Sequence, residues 1–172
     1  MSNFWNQFLI SVILGALGDV ISQRFLEASN NSFDPWRTIR FVVVGSLVVT
    51  PILHCWYKVL DNWTSLKGRV LPQVVLDQTL MSPFLTCIIL IGLKLLEGET
   101  VSETLTILRF SFWDLYMASL KLWPAVQLLN FYFIPLQYRI MFGQIVGLAW
   151  NIFLSWKTNH TTIPDSGSEA IF

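Results

Sequence analysis

Charged side chains are scarce in this sequence: Asp, Glu, Lys and Arg make up 13% of 172 residues, about half of the roughly 25% that a water-facing surface carries. With 53% hydrophobic and 15% aromatic residues, the chain cannot cover itself with a soluble surface. The solvent that such a composition suits is lipid. Acids and bases balance at 11 each for a net charge of +0, which excludes a basic footprint for direct nucleic-acid binding. Cysteine is nearly absent. Cys55 and Cys87 both lie in apolar stretches without CxxC spacing, so neither a disulfide framework nor a zinc site is expected. The two His show no paired metal-ligand spacing, and there is no GxSxG and no phosphate-cradling glycine loop. No catalytic residue, metal or cofactor is therefore expected, and the chain does not read as an enzyme. No Arg-rich amphipathic presequence opens the chain and no Ser-Lys-Leu closes it, so the expectation is that the first apolar segment is retained and that targeting is internal.

Five stretches are free of charge: 1–18, 41–57, 78–93, 122–138 and 140–156. Each is slightly short of the ~20 residues that cross a bilayer, a gap closed by one further turn with terminal Lys and Arg snorkelling. The first, second, third and fifth read as spans. The fourth carries Trp123-Pro124, Gln127, Asn130 and Pro135 and stands as a Pro-flanked candidate fifth span. Between the third and fourth runs, Thr100-x-x-Glu103 reads as a capping box. Leu105, Leu108, Phe112 and Leu115 then recur at helical spacing beside Glu103, Arg109 and Asp114, the pattern of an amphipathic helix in the interface over 100–119. The expected fold is thus all-α: a polytopic membrane bundle over 1–157, four spans plus an interfacial helix, followed by a short disordered tail over 158–172. The eight Trp, several near run ends, suit interfacial belts.

Polar groups facing lipid are costly, so the helical phase of the polar residues predicts which face of each span points inward. At about 100° per residue, Ser11, Gly15, Gly18, Asp19, Ser22 and Gln23 share one side of the first span. A second stripe holds Arg40, Leu47, Thr50, His54, Tyr57 and Asp61. The third span opens with Asp77-Gln78 and continues with Ser82 and Thr86. The fourth run aligns Trp123, Gln127 and Asn130, and the fifth aligns Gln144, Asn151 and Ser155. Such stripes either pair as dry interhelical hydrogen bonds or line a wet path. Interhelical bonds in membranes average about 0.6 kcal/mol, too little to account for so many polar positions by stability alone, which favours a water-accessible interior. His54 is of the type that titrates near neutral pH, but a lone helical histidine is more often hydrogen-bonded structure and is read so first. Arg37 and Arg40 are read as lipid anchors or as partners of Asp19 or Asp77. The two Cys are candidate oxidant sensors, against which stands the inertness of buried thiols.

These residues also carry a resemblance. Gly18-Asp19 with Gln23, Arg37 with Arg40, Pro51-x-x-His54-x-Trp56-Tyr57-x-x-Leu60, Asp77-Gln78 with Pro83, Trp123-Pro124-x-x-Gln127-x-x-Asn130-Phe131, Pro135 with Arg139, and Trp150-Asn151 with Leu154-Ser155-Trp156 together resemble the Mpv-seventeen / PMP-twenty-two family, closest to its Mpv-seventeen branch. The resemblance implies a four-span protein of the mitochondrial inner membrane, with the peroxisomal membrane as the alternative. It further implies a weakly selective channel tied to membrane potential, reactive oxygen species and mitochondrial DNA maintenance. The residues expected to line the path or bond between helices are Asp19, Gln23, Arg40, His54, Asp77, Gln78, Gln127, Asn130, Arg139 and Asn151. The expected partners are the lipid bilayer and small solutes or ions, with a homo-oligomer left open. The rival readings are a non-conducting scaffold docked through 100–119, and a carrier for anions such as nucleotide precursors using Arg40, Arg109, Lys121 and Arg139.

The hydrated-interior reading predicts that single cysteines placed along 11–23 and 120–131 react with a water-soluble thiol reagent in a helical rhythm that follows the polar positions. Uniform protection of those positions would count against it.

Overall fold

Capping and turn chemistry cut the chain into long helices close to where the composition changes. The computed structural model describes residues 4–26, 33–63 and 69–160, with side chains described over 4–24, 33–63 and 69–149. Helix α1 spans Phe4–Arg24, α2 Pro35–Asn62, α3 Val70–Glu97, α4 Val101–Phe133 and α5 Arg139–His160, with a 3₁₀ turn at Leu136–Tyr138 before α5. Asp34 caps α2 by accepting from the backbone N–H groups of Trp36 and Arg37 at 2.9 and 3.2 Å, and Pro35 stands at the first helical position, where its missing N–H costs nothing. Helix α3 stops at Gly98, whose φ of 95° is open to glycine without strain. The Gly98 N–H donates to Leu95 O and the Glu99 N–H to Lys94 O, the paired bonds of a Schellman stop. Two residues later the expected capping box opens α4, with the Thr100 N–H donating to Glu103 and the Glu103 N–H to Thr100 Oγ1.

Prolines inside α2 and α3 are absorbed by widened turns. Residues Val43–Val49 and Asp77–Met81 are π-helical, and each stretch ends two residues before a proline, Pro51 or Pro83. The Thr50 N–H reaches Gly45 O and the Ser82 N–H reaches Asp77 O, both five residues back. A proline ring would otherwise press on the carbonyl four residues before it, and the extra residue in the turn relieves that crowding. Thr50 Oγ1 also donates to Gly45 O at 2.9 Å, giving the displaced carbonyl a second donor.

Helix α1 packs against α2 and α5, α3 against α2 and α4, and the C-terminal part of α4 reaches α3 and α5. The burial pattern is inverted relative to a water-soluble bundle. Among the described residues, 14 polar or charged side chains are buried against 8 hydrophobic ones, while Trp5, Leu9, Ile13 and Leu17 run exposed along the outside of α1 at four-residue steps. The small apolar core of Tyr57, Leu60, Val74, Phe131 and Ile140 sits beside the polar groups. Helices α1, α2 and α3 are long and apolar enough to cross a bilayer. The run expected as the fourth span, 140–156, lies on the 22-residue α5, which is not one of those three.

Two expectations change. The interfacial helix over 100–119 and the Pro-flanked run over 122–138 are one continuous 33-residue helix with Pro124 inside it, about 50 Å long at 1.5 Å per residue. The proline interrupts the sequence pattern without ending the helix, because neighbouring helices can compensate a freed backbone group inside a membrane protein. The helix ends instead just before Ile134-Pro135, since a residue preceding proline is driven into extended backbone. On its N-terminal half Leu108 and Phe112 are partly buried whereas Leu105 and Leu115 are exposed, so the residues of the apolar stripe do not share one environment. The tail over 158–172 lies outside the described side chains, and 161–172 lie outside the described residues altogether.

At the α1–α5 crossing, a Cβ on Gly18 would lie 2.7 Å from Leu148 Cδ1, whereas Gly45 has nothing within 4 Å. We predict that Gly18→Leu lowers unfolding stability in detergent by about 1–3 kcal/mol, the usual cost of overpacking, and that Leu148→Ala in the same chain recovers part of the loss. Gly45→Ala is expected to be silent or mildly stabilising.

Candidate functional site

The inward stripes of α1 and α2 meet as an antiparallel ladder. Near one end of the bundle the His54 ring nitrogen Nδ1 and Gln7 Oε1 are 2.6 Å apart. One turn further along α1, the Ser11 hydroxyl donates to Thr50 Oγ1 at 2.8 Å, since the Thr50 proton goes to Gly45 O, and Gln144 of α5 donates to Ser11 Oγ at 3.2 Å. Near the opposite end Thr38 Oγ1 and Gln23 Nε2 both donate to Asp19 Oδ2 at 2.6 Å. Arg37 Nε lies 3.2 Å from Asp19 Oδ1. Asp19 is itself buried, so the carboxylate is held by a cation and two hydrogen bonds, as a buried charge must be. The Asp34 N–H donates to Gln23 Oε1 at 2.7 Å, tying the cap of α2 to the end of α1.

A second centre forms where α2, α3, α4 and α5 approach one another. Asp77, 2% exposed, accepts from Trp56 Nε1 at 2.8 Å, from Gln78 Nε2 at 2.9 Å and from Gln127 Nε2 at 2.8 Å. Gln127 also donates to the Tyr57 hydroxyl at 3.0 Å and accepts from Asn130 Nδ2 at 2.9 Å. Asn130, fully buried, reaches on to Arg139 O at 3.3 Å, and Arg139 Nε returns to Ile134 O at 3.2 Å. These two bonds close the turn that Pro135 forces between α4 and α5. The Arg139 guanidinium also lies over the Phe131 ring at 5.1 Å and faces Asp61 at 3.6 Å. Three buried atoms of this centre make no hydrogen bond among the described residues: Gln78 Oε1, Asn130 Oδ1 and Arg139 Nη1.

The residues predicted from sequence therefore separate into groups. Asp77, Gln78, Gln127, Asn130 and Arg139 come together. Asp19 and Gln23 form their own cluster with Thr38 and Arg37, and His54 forms a third with Gln7. Arg40 leaves the interior stripe and faces Asp34 at 3.4 Å. Leu47, placed in that stripe by phase, is 58% exposed, because the π turn of α2 rotates it away from the ladder. Cys55 is exposed and Cys87 half-buried, so the inertness of buried thiols does not apply to Cys55. Asn151 lies on α5, and its side chain is outside the described residues. Arg109 and Lys121 are exposed and do not converge with Arg40 or Arg139 on an anion site. The pattern passed over Gln7, Thr38 and Gln73, although Gln7 sits one turn before Ser11 on the same face. It also missed the role of Trp56, whose indole N–H looked like an interfacial anchor and in fact donates to Asp77.

Comparison with known proteins adds a second line of observation. The family model for the Mpv17 / PMP22 family matches residues 94–155, the stretch that runs through α4 and into α5. A Caenorhabditis briggsae protein named mitochondrial inner membrane protein Mpv17 is 37% identical over 92% of this chain and 88% of its own length. The Homo sapiens protein of that name is 37% identical over 89% of each chain, and the Danio rerio one 36% identical over 89% of this chain and 88% of its own. No solved structure matches.

Direct contact between Asp77 and Gln127 predicts that Asp77→Ala and Gln127→Ala are non-additive. A double-mutant cycle on equilibrium unfolding in mixed micelles should give a coupling of about 0.5–3 kcal/mol. The same cycle between Asp19→Ala and Gln127→Ala, which share no partner, should be additive within about 0.5 kcal/mol.

Proposed function

The chain belongs to the Mpv17 / PMP22 family and is a membrane protein of the mitochondrial inner membrane, and from that premise we propose that its polar interior forms a weakly selective path for small solutes or ions, held shut here by the Asp77–Gln127 cluster. The observation that supports this reading is a pair of buried acceptors with no hydrogen bond among the described residues, Gln78 Oε1 and Asn130 Oδ1, beside Arg139 Nη1, which has no hydrogen bond there and only the Asp61 carboxylate at 3.6 Å. In a dry interior each would cost about 1–3 kcal/mol, more than the ~0.6 kcal/mol an average interhelical hydrogen bond returns. Two acceptors and one cationic donor in the same cluster suit water or a polar solute that supplies the missing partners. Gln127 and Asn130 would replace water around a passing solute. Asp19 and Asp77 would set the charge preference, and His54 stands where the α1–α2 ladder ends. Flux across the inner membrane would act on membrane potential and, through it, on reactive oxygen species and on mitochondrial DNA maintenance without contact to nucleic acid. The reading is non-enzymatic, and it gives Cys55, on the outer surface, no place in the path.

A non-conducting scaffold is the second reading. It is favoured by the direct bonding of Asp19 and Asp77, whose carboxylate oxygens are already engaged by neighbouring side chains.

Purified protein in planar bilayers separates the two. The channel reading expects discrete currents from the wild type and, for Asp77→Asn, a several-fold shift of permeability from cations towards anions. Folded wild-type protein that stays silent across voltage and pH would end the channel reading and leave the scaffold.

A further inference from the structure

Between the first turns of α1, the last turns of α2 and the Pro135–Gln137 turn lies a half-open cavity of about 340 Å³, within the range of about 300–1,000 Å³ typical of small-molecule sites. Pro135, Leu136 and Ile140 supply an apolar wall, and His54 and Lys58 stand on the α2 side. We infer that this cavity binds a phosphate monoester group, with Lys58 as its cation and His54 as its hydrogen-bonding partner.

The two residues are four apart on α2, so they share a helix face. Arg37, Arg40, Lys94 and Arg139 each face a carboxylate. Lys58 has no ion pair and no hydrogen bond among the described residues, and it lines the cavity. The nearby acids are engaged elsewhere: Asp61 faces Arg139, and Asp77 accepts three N–H groups.

The proton on His54 is fixed by a chain of two bonds. Gln7 Nε2 donates to Gln137 O at 3.0 Å, so the Gln7 amide oxygen is the atom facing His54 and must accept from Nδ1 at 2.6 Å. Nδ1 therefore carries the hydrogen, and the edge of the Phe4 ring packs against the imidazole at 5.3 Å between centroids. Nε2 is left as the ring nitrogen without a hydrogen bond among the described residues. In the neutral imidazole it accepts a hydrogen bond. A phosphate monoester, with a second pKa of about 6, is still about one-tenth monoanion at pH 7, and that form offers both an O–H to the nitrogen and an anionic oxygen to the ammonium. A carboxylate at neutral pH has no O–H to give, and a phosphodiester has none either. The apolar wall suits whatever the ester carries, a lipid glycerol backbone or a soluble organic group. The site does not depend on conduction, and its test reads binding rather than current.

The test uses the full chain with two probes. Inorganic phosphate is titrated against protein in uncharged detergent and followed by phosphorus NMR line broadening. Separately, protein in nanodiscs of phosphatidylcholine with a minor fraction of phosphatidic acid is assayed for retained phosphatidic acid by native mass spectrometry. The wild type is expected to bind at least one probe. Lys58→Gln should weaken that binding about tenfold, near the 1.4 kcal/mol of a charge-assisted contact, Lys58→Arg should retain it, and Lys94→Gln should leave it unchanged. Leu136→Trp, which fills the cavity without touching the charges, should also abolish it and stands in if Lys58→Gln fails to fold. A response to inorganic phosphate that displaces phosphatidic acid assigns a soluble source. Retention of phosphatidic acid without such a response assigns a lipid headgroup. Binding equal in wild type, Lys58→Gln and Leu136→Trp, binding of neither probe, or acetate competing as well as phosphate would overturn the proposal.

Discussion

Within the hydrocarbon layer no water competes for N–H, C=O or side-chain dipoles, so a polar atom on a membrane helix has only the protein to bond to. That constraint organises every contact described above. It turns the polar stripes inward, leaves Trp5, Leu9, Ile13 and Leu17 facing out, and makes each buried carboxylate the meeting point of donors from several helices. Asp77 collects an indole from α2, an amide from α3 and another from α4. Asp19 collects a hydroxyl and a guanidinium from α2 and an amide from its own helix. A bundle with a core of few apolar side chains is specified by such bonds, because lipid tails are as greasy as leucine and give helices no hydrophobic reason to associate.

The same constraint explains the prolines. Pro51 and Pro83 each follow a π-helical stretch, and the residues beside those widened turns, Ser46, Thr50, Asp77 and Gln78, are all buried. The additional residue per turn shifts the helical phase. Side chains on either side of it therefore reach different neighbours than a regular helix would allow. Thr50 bonds to α1 while Leu47, nearly one turn earlier, faces outward. The π turns thus do two things at once: they house the proline and they aim the polar groups.

Function follows from how far the polar network is satisfied. Around Asp19 the carboxylate and its partners are matched, and the cluster locks one end of α1 to α2. Around Asp77 the bonding is dense yet incomplete, with Gln78 and Asn130 each holding a buried oxygen without a hydrogen bond among the described residues and Arg139 Nη1 held only by Asp61 at 3.6 Å. Tyr57 connects that centre to the His54–Lys58 cavity, since it lines the cavity and its hydroxyl accepts from Gln127. A bound group in the cavity would therefore sit one side chain away from the amide that closes the centre.

The membrane assignment, the helical class and the inward stripe of α1 were all legible in the sequence, because composition reports the solvent and a period of about 3.6 reports the face. The capping box at Thr100 was legible for the same local reason: its partners are three residues apart. Local signals could not give the continuity of α4 through Pro124, the outward turn of Leu47 or the exposure of Cys55, since each depends on which neighbour compensates a backbone group or which phase a π turn imposes. Nor could they bring Trp56, Asp77 and Gln127 to a single carboxylate. By itself the sequence determined which side chains must avoid lipid. Only the tertiary structure decided which of them meet, because hydrogen bonds between residues fifty or seventy positions apart are set by helix packing and leave no periodic trace in the chain.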